Sequence, residues 1–410
     1  MDRKMRICQL CRQKRCTELA HFGNQSVCHR FVEGVEEEEM HPLVLGQCEA
    51  CGLVQLTNPM PVGILSPRYD WVKYNEPEAH LESMAQRIAS LPGISSESRI
   101  LGVCLNELPL LGLMRTHGFR HTEMIDPVCN LGLEEGKRGV EAIQSRLNRK
   151  VAETIVRQQG FYDVVIARRI LEHSHDLVEF LQALRSLVHP QGYVVVEVPD
   201  CQKELELIDV GVLWEEHILY FTPETFRECF SFGGLNVRQF ESFPDSQENC
   251  LVVIAQPADT VPAFLKDRLL KLEINRASVF TSGLVSLRED LQRFLSNYRS
   301  WRGKIAVLGA GHRSCVYINL LKIKDYIEFV IDDDPHKQNF RMPGSRLPIR
   351  RSNALLEDNI KLCLLGINPE SENKVIAKNK NFLNHGGCFA SISPNSAYAL
   401  NLEAAVDRLN

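Results

Sequence analysis

Tyr162-Asp163-Val164-Val165-Ile166-Ala167 and Tyr193-Val194-Val195-Val196-Glu197-Val198-Pro199 decide the fold. Each is a short apolar run, and the segment between them, Asp176 to Leu187, carries a helical pattern followed by the turn signal Pro190-Gln191-Gly192. Strand, helix and strand in that order make a parallel crossover unit, and runs this apolar belong to strands covered on both faces. Upstream, Arg99-Ile100-Leu101-Gly102-Val103-Cys104 reads as a first strand and Thr122-Glu123-Met124-Ile125-Asp126 as a second, ending on a carboxylate. Residues 66–255 are therefore expected to form an α/β unit around a doubly wound parallel sheet. Just after the strand at Tyr193 comes Trp214-Glu215-Glu216-His217-Ile218-Leu219-Tyr220-Phe221, before a helix start at Thr222-Pro223-Glu224. This puts Glu216 and His217 in a loop at the C-terminal edge of the sheet, where open α/β sheets bind ligands. A glutamate beside a histidine can tune it as a general base near neutral pH; a charged surface loop is the plainer reading of the same residues.

The N-terminal region, residues 1–65, is set apart by cysteine. Cys8-Gln9-Leu10-Cys11 and Cys48-Glu49-Ala50-Cys51 are two C-x-x-C knuckles that together supply the four thiolates of a structural zinc site. The intervening loop is longer than in a compact zinc ribbon, and Cys16, Cys28, His21 and His29 are alternative ligands; a redox pair is the competing reading. A region this small has little core of its own, so the metal is expected to hold it folded, with no open coordination position.

Beyond the central unit, residues 256–302 read as one or two linking helices, with apolar positions at Phe264, Leu269, Leu270, Leu272, Leu284, Leu287, Leu291 and Phe294. Residues 303–410 then begin a second Rossmann-like unit: Lys304-Ile305-Ala306-Val307-Leu308 enters the turn Gly309-Ala310-Gly311-His312, with further strands at Tyr326–Asp332 and Ile360–Gly366. The third glycine of a dinucleotide fingerprint is Ser314 here, which argues against intact NAD chemistry.

At 410 residues and 44% hydrophobic content the chain is long enough for two or three cored domains. A net charge of −5 gives no basic footprint for nucleic acid. No apolar run is long enough for a membrane span or a signal segment, so a cytoplasmic protein without membrane partners is expected, as a monomer or homodimer. The fourteen cysteines then read as metal ligands and buried thiols, not a disulfide framework.

Asp126 suits a cofactor ribose, which an acid at the end of a second strand binds in dinucleotide and S-adenosylmethionine sites alike. The first turn, Leu105-Asn106-Glu107-Leu108-Pro109, lacks the glycines that cradle a pyrophosphate. S-adenosylmethionine carries no phosphate and tolerates such a turn.

The pieces in this order resemble the three-domain nucleotide-deoxysugar C-methyltransferases. The resemblance rests on Pro42-Leu43 with Cys48-Glu49-Ala50-Cys51-Gly52-Leu53-Val54-Gln55-Leu56, on Tyr69-Asp70-Trp71 with Tyr74 and His80, and on Ile125-Asp126-Pro127 with Asn130. It extends through Ala167-Arg168-Arg169-Ile170-Leu171-Glu172-His173, Trp214-Glu215-Glu216-His217 with Tyr220-Phe221, and Asp332-Asp333-Asp334-Pro335 with Pro343-Gly344-Ser345. It implies S-adenosylmethionine as methyl donor, a nucleotide-linked keto sugar as substrate, and His217 as the base that forms an enolate. Glu216 would orient His217, while His173 and Tyr69 would meet the keto oxygen. The cofactor would lie against Gly102, Asn106, Glu107, Asp126, Pro127, Ala167 and Arg168. The substrate would lie against Trp71, Tyr74, His80, Trp214 and Tyr220, and in the last unit against Gly309, Gly311, His312 and Asp332. The chain departs from the pattern where Trp214 replaces a tyrosine, Glu215 a histidine, and Ser246-Gln247-Glu248-Asn249-Cys250 an H-G-G-S-L-R run. The alternatives are an epimerase or isomerase using the same enolising base, and a non-catalytic protein that binds a nucleotide sugar.

Overall fold

The computed structural model describes residues 6–69, 71–72, 78–136, 139–246 and 248–402. Fifteen strands among them form three sheets. The N-terminal strands are β1 (Cys16–Gln25), β2 (His41–Cys48) and β3 (Val54–Leu56). The central unit holds β4 (Arg99–Gly102), β5 (His121–Met124), β6 (Tyr162–Arg168) and β7 (Val188–Pro199), then β8 (Leu219–Tyr220), β9 (Leu235–Phe243) and β10 (Cys250–Pro257). The last unit holds β11 (Lys304–Leu308), β12 (Val330–Ile331), β13 (Ile349–Arg350), β14 (Ile360–Leu365) and β15 (Cys388–Ser391).

The central sheet runs in the order β5-β4-β6-β7-β10-β9. Its first four strands are parallel, and the apolar stretches of β6 and β7 are buried on both faces, as the sequence pattern requires. The sheet is not parallel throughout. β10 lies antiparallel between β7 and β9, because the short connection from β9 to β10 is a hairpin and leaves no room for a crossover. The turn signal at Pro190-Gln191-Gly192 is a bulge inside β7: Tyr162 pairs with Val188, and pairing resumes with Val164 opposite Tyr193. Gly192 is needed there, since a Cβ would lie 2.5 Å from the Asp163 carbonyl oxygen.

The last unit is a parallel sheet ordered β13-β12-β11-β14-β15. The strand expected at Tyr326–Asp332 shrinks to Val330–Ile331, because Lys324–Tyr326 turns as a 3-10 helix. The linking segment is one helix, Asp267–Trp301, about 50 Å long at 1.5 Å per residue. Ala277, Phe280, Leu284, Leu291, Phe294 and Leu295 recur near the helical period and are buried.

The units share their cores. Leu10, Leu53 and the cysteines of both knuckles pack in one apolar cluster with Leu101, Val165, Val196 and Phe226 of the central unit. A second cluster joins Leu45, Val54 and Leu56 to Tyr220, Phe280 and Val307. The N-terminal sheet runs β1-β2-β3-β8, so a strand from the motif Trp214–Phe221 completes it, with Val54 opposite Tyr220. That pairing ties the cysteine-rich module to the loop that carries His217.

Candidate functional site

The knuckles bring four thiols together in the arrangement of a closed metal site. Cys8 Sγ lies 3.6 Å from Cys51 Sγ and Cys11 Sγ 3.5 Å from Cys48 Sγ, and all four sulfurs fall within 4.8 Å of one another. A tetrahedron with Zn–S bonds of about 2.3 Å has edges of about 3.8 Å, so the four sulfurs fit zinc. The Leu10 and Ala50 amides each donate to the first sulfur of their knuckle at 3.4 Å, and Gly52 turns the second at φ +79. The alternative ligands Cys28 and His29 are used elsewhere.

Their partners are in the Trp214–Phe221 loop. The Cys28 amide donates to Glu215 Oε1 and its thiol to Glu215 Oε2 at 3.2 Å. His29 Nε2 stands 3.1 Å from Glu216 Oε1 and 2.9 Å from the Leu65 carbonyl oxygen. Both partners are acceptors, so Nε2 carries the proton. Burial lowers the pKa of His29, which keeps the imidazole a neutral donor. The Tyr220 hydroxyl donates to the Trp214 carbonyl at 3.1 Å and accepts from its amide at 3.3 Å, closing the loop on itself. The Ile218 amide donates to the Glu172 carbonyl at 2.8 Å, and Trp214 stacks on His312 with centroids 4.4 Å apart.

Held this way, His217 faces a cleft of about 890 Å³ between the central unit, the loop and the last unit. His173, from the 3-10 turn Leu171–His173, meets its ring edge to face at 4.9 Å, and Glu172 stands close by. Burial, then the neighbouring His173, His312 and Arg169, hold the pKa of His217 well below the ordinary histidine value. His173 goes the other way. Burial alone would lower it, but the Glu141 carboxylate 2.8 Å from Nδ1 raises it to about 9. Glu216, expected to orient His217, is instead paired with His29, and its carboxylate joins Glu141 and His173 within 4.8 Å.

The residues expected to hold a cofactor divide into wall and frame. Leu105 and Asn106 line the cleft. Glu107 is fully buried, accepts from the amides of Cys104 and Arg168, and has its pKa raised to about 7 by burial. Gly102 makes this fold-back possible, because a Cβ there would lie 2.9 Å from the Cβ of Glu107. Arg168, buried beside Ala167, gives Nε and Nη2 to Glu197 at 2.7 and 3.1 Å and Nη1 to the Asn106 carbonyl. Gly102, Glu107, Ala167 and Arg168 thus build the turn rather than its inner surface. Asp126, followed by Pro127 at the end of β5, is exposed, and its Oδ1 accepts from the amides of Val128 and Cys129.

Gly311 and His312 reach the cleft, while Gly309 makes the turn at φ +104. Burial lowers His312 to about 3, and its Nε2 donates to the Leu213 carbonyl at 3.3 Å. Asp332 closes its own turn, accepting from the Ala310 amide at 3.0 Å and from Lys337 Nζ at 2.8 Å. Tyr69 and Trp71 stack at 5.0 Å in an aromatic cluster with Phe31 and Phe340, and the cleft is lined by Pro67 and Val72 on either side of them. His80 donates to Glu197 at 3.0 Å, in the frame behind the first turn. Tyr74 lies outside the described residues. Sequence reasoning missed Glu141, since nothing local marks it 32 residues before His173, and it weighed His29 only as a metal ligand.

The chain matches family models for a zinc-binding domain over residues 8–65, a methyltransferase domain over 78–239 and a C-methyltransferase C-terminal domain over 266–394. It is 24% identical over 402 residues to the C-methyltransferase NovU of Streptomyces niveus, covering 93% of this chain and 94% of that one. Similar solved structures include the 1,6-didemethyltoxoflavin-N1-methyltransferase of Burkholderia thailandensis, at 13% identity over 44% of this chain and 80% of that one, with a TM-score of 0.31. An S-adenosylmethionine-dependent methyltransferase of Clostridium acetobutylicum is 11% identical, covering 46% and 93% of the two chains, also at 0.31. Among the described residues, no helix is long and apolar enough to cross a membrane.

Proposed function

The chain belongs to the C-methyltransferases built from a zinc-binding module, a methyltransferase domain and a C-methyltransferase C-terminal domain, and on that premise we propose that it methylates the carbon beside the ketone of a nucleotide-linked keto sugar. It is an S-adenosylmethionine-dependent methyltransferase. The observation that carries the finer reading is His217, a histidine kept uncharged at the wall of a large cleft with His173 beside it.

A proton next to a ketone comes off only when the oxygen of the resulting enolate is stabilised, so a base and a hydrogen-bond donor must converge. His217 takes the proton on its free nitrogen lone pair. His173 donates to the ketone oxygen as negative charge gathers there. The bound cofactor supplies an electrophilic methyl group. Leu105 and Asn106 along the cleft, with Asp126 beyond them, would hold it, and a ligand with no pyrophosphate needs no glycine cradle at the first turn. The substrate's nucleotide would lie toward the Trp214–His312 stack and Gly311, which starts the helix His312–Leu320 and presents free amides to a phosphate. Zinc would act through structure, since Cys8, Cys11, Cys48 and Cys51 leave it no open position.

Calorimetry with S-adenosylmethionine tests the cofactor, and absence of binding at millimolar concentration would refute methyl transfer. Exchange of solvent deuterium into a nucleoside-diphosphate 4-keto sugar tests enolisation. It should be lost in His217→Ala; exchange unaffected by that change would remove His217 from the role.

A further inference from the structure

The helix Val140–Arg146 aims one carboxylate, Glu141, at His173. Both border the cleft, but Glu141 is 5% exposed and His173 7%, so their contact is largely shielded from water, and a carboxylate 2.8 Å from a ring nitrogen there favours a proton on that nitrogen. The two imidazoles then touch edge to face at 4.9 Å, a distance at which two like charges out of water repel strongly. Only one ring of the pair can be cationic.

We propose that Glu141 is the positioning residue that decides which one: it fixes His173 as the cationic hydrogen-bond donor and thereby leaves His217 uncharged as the base. The assignment of base and donor rests on the reading above; the proton distribution does not. The charged neighbours other than Glu172, which both rings share, are consistent with this order. His173 faces Glu141 from the helix, Glu172 from its own turn, and Glu216 from the loop, with His29 behind Glu216. His175 follows it in the chain and is itself held neutral by burial. His217 faces His173, His312 and Arg169, with the Glu172 carboxylate within 4.8 Å of both rings. Glu172 is thus shared by the pair, while Glu141 and Glu216 face His173. Glu141 is the one of them in direct ion-pair contact with the His173 ring. It touches neither the reacting carbon nor the oxygen in this scheme, and acts through His173.

The test is a histidine NMR titration of the full-length zinc-loaded protein, labelled at ring carbon and nitrogen, without substrate. His173 and His217 are assigned from His173→Asn and His217→Asn. In the wild type at pH 7, His173 should carry protons on both nitrogens and lose one near pH 9, while His217 should stay neutral. In E141Q, His173 should be neutral at pH 7, its titration moving down by more than one pH unit, and His217 should titrate higher than in the wild type. E141D should restore part of the wild-type pattern, which a merely structural role would not require. A wild-type His173 that is neutral at pH 7 overturns the proposal, and that measurement stands even if E141Q fails to fold. So does an E141Q titration unchanged from wild type, or a His173 that does not titrate because a second metal per chain occupies Nδ1. Because no substrate is present, failure here is distinct from failure of the sugar-methylation reading.

Discussion

Glu215→Ala removes the acceptor that binds the Trp214–Phe221 loop to the cysteine-rich module. Glu215 is 3% exposed, and its carboxylate takes both the amide and the thiol of Cys28. Truncation leaves the buried Cys28 amide without that partner, which costs about 1–3 kcal/mol. The other anchors of this loop do not involve Glu215: the pairing of β8 with β3, the Leu56 amide on the Ile218 carbonyl, the Cys201 amide on the Phe221 carbonyl, the Ile218 amide on Glu172, the His29–Glu216 contact and the Trp214–His312 stack. The cost therefore falls on local opening of this loop rather than on global unfolding. At about 1.4 kcal/mol per factor of ten, opening should become roughly 5- to 100-fold more frequent. Amide exchange reports such openings directly. Hydrogen-exchange mass spectrometry at pH 7 should show the 214–221 peptide exchanging faster by that factor, with β6 peptides unchanged. Glu215→Gln keeps one acceptor oxygen and should give a smaller effect. Equal exchange in wild type and Glu215→Ala would refute the idea that the zinc module holds the loop.

Metal analysis should find about one zinc per chain, lost in Cys48→Ser with a lower thermal midpoint; no zinc and four free knuckle thiols would contradict the centre. Gly102→Ala should cost about 1–3 kcal/mol in urea unfolding by overpacking Glu107 and Leu111, and an unchanged midpoint would count against the fold-back. His312, lowered to about 3, makes a contribution to stability that is whole above pH 6.5 and is lost as pH falls toward 3, because only the unfolded chain takes up that proton. His312→Gln should therefore flatten the fall in urea midpoint between pH 7.5 and 5.5; an equal slope would contradict it. His173, raised to about 9, runs oppositely: its contribution is whole below pH 6.5 and is lost as pH climbs through about 9.

The elements legible in the sequence were those whose burial is local in pattern. The apolar runs of β6, β7, β11 and β14 announced themselves, and so did the knuckles and the Thr222 cap, whose hydroxyl accepts from the Thr225 amide. What was not legible depends on partners distant in the chain. β8 is two residues long and exists because β3, more than 150 residues earlier, offers it an edge. The long loop between the knuckles looked like a weakness of the zinc site, yet it carries Cys28 and His29 to Glu215 and Glu216. The glycine-poor first turn was visible, but not that Glu107 folds back into the space Gly102 vacates. Glu216 and His217 are neighbours in sequence, and that suggested a pair; the carboxylate contacts His29 while the imidazole packs on His173.

The most direct test of the account is transfer of an isotopically labelled methyl group from S-adenosylmethionine to carbon of a nucleoside-diphosphate 4-keto sugar, comparing wild type with His217→Ala. Label should appear on the carbon beside the ketone with the wild type, and at a rate lower by roughly 10²- to 10⁴-fold in the variant, the usual worth of a positioned general base. Undiminished transfer by His217→Ala would contradict it.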